Sequence, residues 1–286
     1  MVFLPGDGTK ILSRKITTIF FRFGFMNLSL EGKYAIISGS TQGIGLAIAE
    51  ELALMGAHCT LLARSEESLR KAVLRLDTSL HQQHGYLVAD FNYPEQVQQV
   101  VARHVAGQPV HILINNTGGP PAGPIIQASE TEFLKAFQQH LVCNHLLVQT
   151  VVPSMKKEGY GRIVNIISTS VKIPPKNLGV SNTIRGAVAS WAKTMANELG
   201  AFQITVNNVL PGLTTTQRLH SLIETLAQKG NTSHEQVSKS MVEEVPLKRF
   251  ATAEEIAAMA AFLASPAAGY VNGASIPVDG GRTGSI

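Results

Sequence analysis

Tyr34-Ala35-Ile36-Ile37-Ser38-Gly39-Ser40-Thr41-Gln42-Gly43-Ile44-Gly45-Leu46-Ala47-Ile48 is the stretch on which the fold turns. A short apolar run, Tyr34 to Ile37, reads as a buried strand. Three spaced glycines follow, and then Ile44, Ala47, Ile48 and Leu52 mark one face of a helix that Gly56 stops. The glycines have separate tasks. Gly39 permits a tight turn, Gly43 lets backbone approach a diphosphate, and Gly45 lets the helix pack closely. The helix N-terminus then offers free N–H groups and a partial positive charge. A glycine pattern alone is weak; with a strand before it and a helix after it, the signal is strong. Gly39, Ser40, Gln42, Gly43, Ile44 and Gly45 are therefore expected to surround the diphosphate of a dinucleotide.

Working outward, the alternation continues. Strands are expected at 34–37, 59–63, 86–89, 110–114, 162–167, 204–210 and 276–278. Helices are expected at 44–55, 66–76, 95–106 behind Pro94, 141–157 and 181–199, with a further one ending near Ala264. Ser129 with Glu132, and Thr252 with Glu255, have capping-box spacing. Strict alternation implies an α/β fold, a parallel sheet with helices on both faces. The polar stretch 214–244 interrupts it; a two-helix lid over the ligand and a plain surface insertion both fit.

Composition narrows the functional classes. The chain has 286 residues, 44% of them hydrophobic and only 15% charged, which suits one large domain and not a disordered chain. The net charge of +4 is spread over scattered Lys and Arg, so a nucleic-acid footprint is not expected. No apolar run reaches the roughly 20 residues of a membrane span. Cys59 and Cys143 read as buried free thiols in a reducing cytoplasm. His81 with His84, and His140 with His145, lack further ligands nearby, so no metal site is expected. Residues 1–26 stand apart, with Lys10, Arg14, Lys15 and Arg22 around Ile19-Phe20-Phe21. A short targeting or membrane-surface segment is one reading. An extension upstream of Met26 is favoured, because a complete strand–turn–helix unit begins just after it. The domain is then 27–286.

The second strand should end beside the adenosine ribose, where enzymes using NAD often place an acid. Here the segment runs Leu61-Leu62-Ala63-Arg64-Ser65, with no acid until Glu66. Arg64 and Ser65 suit a 2′-phosphate, since a guanidinium is always charged and forks onto phosphate. NADP is therefore favoured over NAD.

With these residues in view, the chain resembles the short-chain dehydrogenase/reductase family, and most closely its 3-oxoacyl-acyl-carrier-protein reductase branch. Gly39-x-x-x-Gly43-Ile44-Gly45 is similar to the family's glycine loop, Asp90 to its adenine-side acid, and Asn115-Asn116-Thr117-Gly118 to its NNAG segment. Pro211, Gly212 and Thr216 resemble the segment beside the nicotinamide. The match runs from about Leu28 to Gly281. It implies a single-domain, Rossmann-type doubly wound sheet of about seven strands. It also implies a nicotinamide cofactor and a small-molecule or acyl-carrier-linked carbonyl substrate. Through the helices at 141–157 and 181–199 and the last strand, it implies a homotetramer or homodimer.

The family's chemistry uses a Ser, a Tyr thirteen residues later, a Lys four beyond that, and an Asn on the preceding long helix. Ser168 matches the first. Ser181 stands at the Tyr position, Arg185 at the Lys position and His140 at the Asn position, with Asn144 one turn further on. A Tyr phenol, near pKa 10, can be tuned toward neutrality by a neighbouring cation; a serine hydroxyl cannot. Arg185 keeps the charge but cannot shuttle a proton. Loss of a placed general acid costs about 10²–10⁴-fold in rate. His140 would titrate in a useful range if the helix aims it into the cleft, and Lys172 or Lys176 would steady an alkoxide; a surface histidine, solvated lysines and a helix-capping Ser181 are the plainer alternatives. Two readings follow: an NADP-dependent oxidoreductase with a rewired proton donor, or a catalytically impaired dinucleotide-binding protein acting as sensor or partner of an active paralogue.

Overall fold

The computed structural model describes residues 26–285. Apart from Met26, the expected amino-terminal extension lies outside the described residues. The chain alternates β1 (Tyr34–Ser38), α1 (Gly43–Leu54), β2 (His58–Ala63), α2 (Glu66–Val73), β3 (Gly85–Val88), α3 (Pro94–Gly107) and β4 (Ile112–Asn115). Then come α4 (Glu130–Phe137), α5 (Cys143–Glu158), β5 (Gly161–Ile166), α6 (Gly179–Leu199) and β6 (Ile204–Pro211). Helices α7 (Gln217–Gly230) and α8 (His234–Glu243) precede α9 (Ala253–Ala264) and β7 (Ser275–Val278).

The seven strands form one sheet in the order β3-β2-β1-β4-β5-β6-β7, every neighbouring pair parallel. Parallel strands covered on both faces should be largely apolar; β1, β2 and β4 are, while β5 and β6 also bury Arg162, Asn165, Asn207 and Asn208. Period-two alternation sorts their side chains. Ile37, Leu61, Ile114 and Val164 face one layer with Ile48 and Leu52 of α1 and Ile256 and Ala260 of α9. Their chain neighbours Ile36, Leu62, Leu113 and Ile163 face the other, with Val101 of α3, Leu147 and Val151 of α5, and Ala192 and Ala196 of α6. Each fully buried Leu or Ile contributes about 1.5–3 kcal/mol of transfer free energy.

Strand order reverses between β1 and β4, since β2 and β3 lie on one side and β5 to β7 on the other. In open α/β sheets ligands bind in the crevice outside the strand carboxyl ends at such a point.

Two expected elements differ. The helix placed at 141–157 belongs to a longer helical run: α4, a π turn over Gln138–Val142, then α5. The wide turn inserts an extra residue, so no single 3.6-residue period fits the whole. The helix expected at 66–76 ends at Val73. Both expected capping boxes are present, on α4 and α9. Among the described residues no helix is long and apolar enough to cross a membrane.

Candidate active site

A cleft of about 630 Å³ opens at the carboxyl ends of the strands. Gly39, Arg64, Asp90, Asn116, Ser168 and Gly212, which follow or end β1 to β6, all line it, as do Thr216, Gln217 and Arg218 at the start of α7.

The turn after β1 is shaped by its glycines. Gly39 and Gly43 hold φ of +59° and +55°, in the left-handed region. A Cβ on Gly45 would run into the Gly39 carbonyl oxygen and lie 2.6 Å from the Asn116 amide, so this glycine packs against the turn itself. Asn116 clips the turn: Nδ2 donates to Gly39 O at 3.1 Å, and its backbone N–H donates to Ser38 Oγ at 3.0 Å. The N-cap of α1, Gln42, supplies no side-chain cap, and the first turn carries no acid. The leading N–H groups of α1 are thus left to an anionic ligand.

The end beyond β2 and β3, where the adenosine is expected, is equally distinct. Arg64 is exposed and, among the described residues, forms no ion pair or side-chain hydrogen bond. Glu66, the nearest acid, is occupied: Arg70 Nη2 donates to it at 2.7 Å and Tyr86 OH at 3.0 Å. Those hydrogen bonds hold its carboxyl below the usual carboxylate range. Asp90 accepts from the backbone and side chain of Asn92, at 2.9 and 2.8 Å.

Several expected cofactor residues make structural hydrogen bonds. Ser40 is fully buried; its hydroxyl donates to Ile37 O and accepts from Leu62 N–H. Ser65 caps α2 by accepting from Ser68 N–H. Asn115 does not line the cleft. Its Nδ2 donates to Asn165, Asn165 donates to Asn208, and Asn208 donates to Ser275, at 2.8, 2.9 and 3.0 Å. These residues are register partners on β4 to β7, so alternation turns Asn115 along the sheet and leaves Asn116 to face the ligand. Gln42, Gly43, Ile44, Thr117, Gly118, Pro211, Gly212 and Thr216 do line the cleft.

At the other end stand the residues expected to carry chemistry. Ser168, beyond β5, is extended; its Oγ accepts from Ser170 N–H at 3.1 Å, leaving the O–H free to donate. Ser181 and Arg185 lie in the first turns of α6, 7% and 8% exposed, and both line the cleft. Ser181 does not cap α6, whose N-cap is Leu178. Arg185 Nη1 donates to Ile166 O at 3.1 Å. Burial, and then the charge of Arg218, push its guanidinium down to about 10.

His140 is not a surface histidine. It sits in the π turn, 1% exposed, with Nδ1 2.6 Å from Thr117 Oγ1 and Nε2 unpartnered. Burial, with Arg185 and Arg218 nearby, pushes it down to about 3. It is neutral at physiological pH and meets the cleft only through Thr117, which corrects the expectation of a titrating proton donor. Lys172 and Lys176 are exposed and do not line the cleft; Lys176 borders a separate cavity with Pro174 and Asn182. Cys59 and Cys143 are buried and free, and burial raises both thiols, Cys143 to about 12. Among the described residues no cluster of His, Cys, Asp or Glu could hold a metal ion.

Sequence reasoning missed Asn116 and Arg218. Counting the strand period through Asn115 would have found the first; Arg218, a lone cation in a polar insertion, gave no signal.

Comparison with known proteins covers nearly the whole chain. Residues 39–283 match the family model described as Enoyl-(Acyl carrier protein) reductase. The 3-oxoacyl-(acyl-carrier-protein) reductase FabG of Pseudomonas aeruginosa is 33% identical, over 89% of this chain and 98% of that protein. The NADPH-dependent reductase BacG of Bacillus subtilis is 30% identical, over 88% and 98%. The crystal structure of L-sorbose reductase from Gluconobacter frateurii, complexed with NADPH and L-sorbose, superposes with a TM-score of 0.85. Its identity is 31%, over 91% of this chain and all of that one.

Proposed function

Because the chain belongs to the short-chain dehydrogenase/reductase family, we propose that it is an NADP(H)-dependent oxidoreductase reducing a carbonyl, with a non-standard proton donor. The observation that carries this reading is the juxtaposition, in one cleft, of the glycine turn and the free O–H of Ser168. The residues fit the dinucleotide: the turn is a cradle that side chains would fill, the N-terminus of α1 is uncapped, and Arg64 is unpaired where a 2′-phosphate would lie. When bound, the reduced nicotinamide supplies a hydride. Relatives described as NADPH-dependent, or solved with NADPH, support the same cofactor.

The chain's own part is to bind, orient and protonate. Ser168 donates its hydroxyl proton in a hydrogen bond to the carbonyl oxygen, polarising the carbon. Arg185 lends positive charge as that oxygen becomes an alkoxide, but holds its own proton too tightly to give it up. Ser181 has no neighbour able to bring its hydroxyl near neutrality, and His140 is neutral. In this reading the proton on the product oxygen comes from solvent reaching the cleft that Ser168 and Ser181 both line. The two buried thiols fit a reducing compartment such as the cytoplasm. β7 lies at a sheet edge, available, with α5 and α6, to a homotetramer or homodimer. In this reading 27–286 is the working domain and 1–26 an extension.

The alternative, a dinucleotide-binding sensor without turnover, draws on the same Ser181 and Arg185. NADPH oxidation across a carbonyl panel separates the two. Turnover that Ser168→Ala cuts by about 10²-fold or more supports the enzyme. Tight NADPH binding with no turnover supports the sensor. Ser181→Tyr with Arg185→Lys should raise the rate if only the acid was lost; an active parent that gains nothing runs by another arrangement.

A further inference from the structure

Charge in the cleft is lopsided. Its lining holds three arginines, Arg64, Arg185 and Arg218, against one carboxylate, Asp90. Arg64 and Asp90 stand at the adenosine end. Arg185 and Arg218 share the other end, and among the described residues neither has an ion-pair partner. Arg185 is buried, lines the cleft, and spends one of its five N–H donors on Ile166 O. Arg218 reaches over from the first turn of α7 and lies on Gly119, giving Nη1 to Gly119 O at 2.9 Å and Nη2 to Pro120 O at 3.1 Å. These neutral carbonyls balance neither charge.

Two guanidinium groups facing one partly buried space repel each other, and burial disfavours both. Such an arrangement is unfavourable in the free protein and becomes favourable when an anion enters, since planar guanidinium groups fork onto carboxylate oxygens. The phosphates of the dinucleotide have their own seats, at the uncapped start of α1 and at Arg64. We propose that the substrate carries a carboxylate, and that Arg185 from α6 and Arg218 from the lid hold it beside Ser168. The substrate is then an oxo acid, or the hydroxy acid of the reverse reaction, and the lid arginine fastens the lid over it. This rests on the oxidoreductase reading and adds the substrate class.

The test is calorimetric titration of the protein saturated with NADP+ by four- to six-carbon hydroxycarboxylates and by their methyl esters. Charge-assisted contacts predict that one or more acids bind at least about tenfold tighter than their esters. Arg218→Gln should cut that preference about tenfold and Arg185→Met remove it, while NADP+ affinity in Arg218→Gln changes less than about threefold. Acids and esters that bind alike overturn the proposal. So does a panel in which nothing binds, a preference that survives both substitutions, or acid that competes with NADP+ and thereby shows the arginines serving phosphate. If acids bind through both arginines but no carbonyl is reduced, the oxidoreductase reading falls and the anion site stands.

Discussion

Replacing Arg185 by methionine removes a buried charge while keeping an unbranched stem of similar length. The folded protein lowers this guanidinium to about 10, chiefly by burial. At 1.36 kcal/mol for each tenfold change, keeping it charged costs about 3 kcal/mol. The sign follows from linkage. Below pH 10 folded and unfolded chains both hold the proton, so the full cost is present; it is relieved only above pH 10, where the folded chain lets the proton go first. At pH 7 the methionine variant escapes the cost but loses the hydrogen bond to Ile166 O, about 1–2 kcal/mol. The net expectation is a gain of about 1–2 kcal/mol. At about 2 cal/mol/K per residue of unfolding entropy this raises Tm by about 2–4 °C, measured by calorimetry without nucleotide or carboxylate. Leu52→Ala, a fully buried core truncation, should lose about 2–5 kcal/mol in the same assay. If the methionine variant melts more than about 2 °C below the parent, Arg185 is a structural asset and the account of a charge held ready for an anion is wrong.

Arg64→Gln should lower kcat/KM for NADPH by about 10–100-fold and for NADH by less than about threefold; equal losses would show that Arg64 does not read the 2′-phosphate. Asn116→Ala should weaken NADP+ binding about tenfold and lower stability by about 1–3 kcal/mol, because the glycine turn loses its clip; an unchanged titration would remove that role. His140, lowered to about 3 in the folded chain, contributes stability that is present above pH 6.5 and lost as pH falls from 6.5 toward 3. Stability of the parent should fall there more steeply than that of His140→Asn, by up to about 1.4 kcal/mol per pH unit; parallel melting curves from pH 4 to 7 would contradict its burial as a neutral ring.

Strand positions were legible where buried parallel strands leave unbroken apolar runs, as β1 does in Tyr34–Ile37; β6 shows through Ile204, Val206, Val209 and Leu210 despite its buried asparagines. The glycine turn was legible because Gly39, Gly43 and Gly45 each answer a backbone demand that no other residue meets. What failed was orientation. Asn115 and Asn116 read alike in one dimension, yet the pleat sends one along the sheet and the other toward the ligand. Ser40 is buried on Ile37 and Leu62, and Ser65 caps its own helix, bonds that a one-dimensional reading does not reveal. His140 was misjudged because its pKa depends on burial and on Arg185 and Arg218, which arrive from elements 45 and 78 residues away. Arg218 was invisible for the same reason.

The wide turn at Gln138–Val142 sets the phase of everything ahead of it. An α-helix advances about 100° per residue, so removing one residue there would swivel α4 by roughly that angle against α5. Phe133 and Ala136, which pack on Val180 and Ile184 of α6, would be carried off that contact, and His140 would leave Thr117. The supernumerary residue thus works as a keyed joint. Side chains across this region can be exchanged, but its length is fixed, and homologues lacking that residue must seat the cleft wall differently.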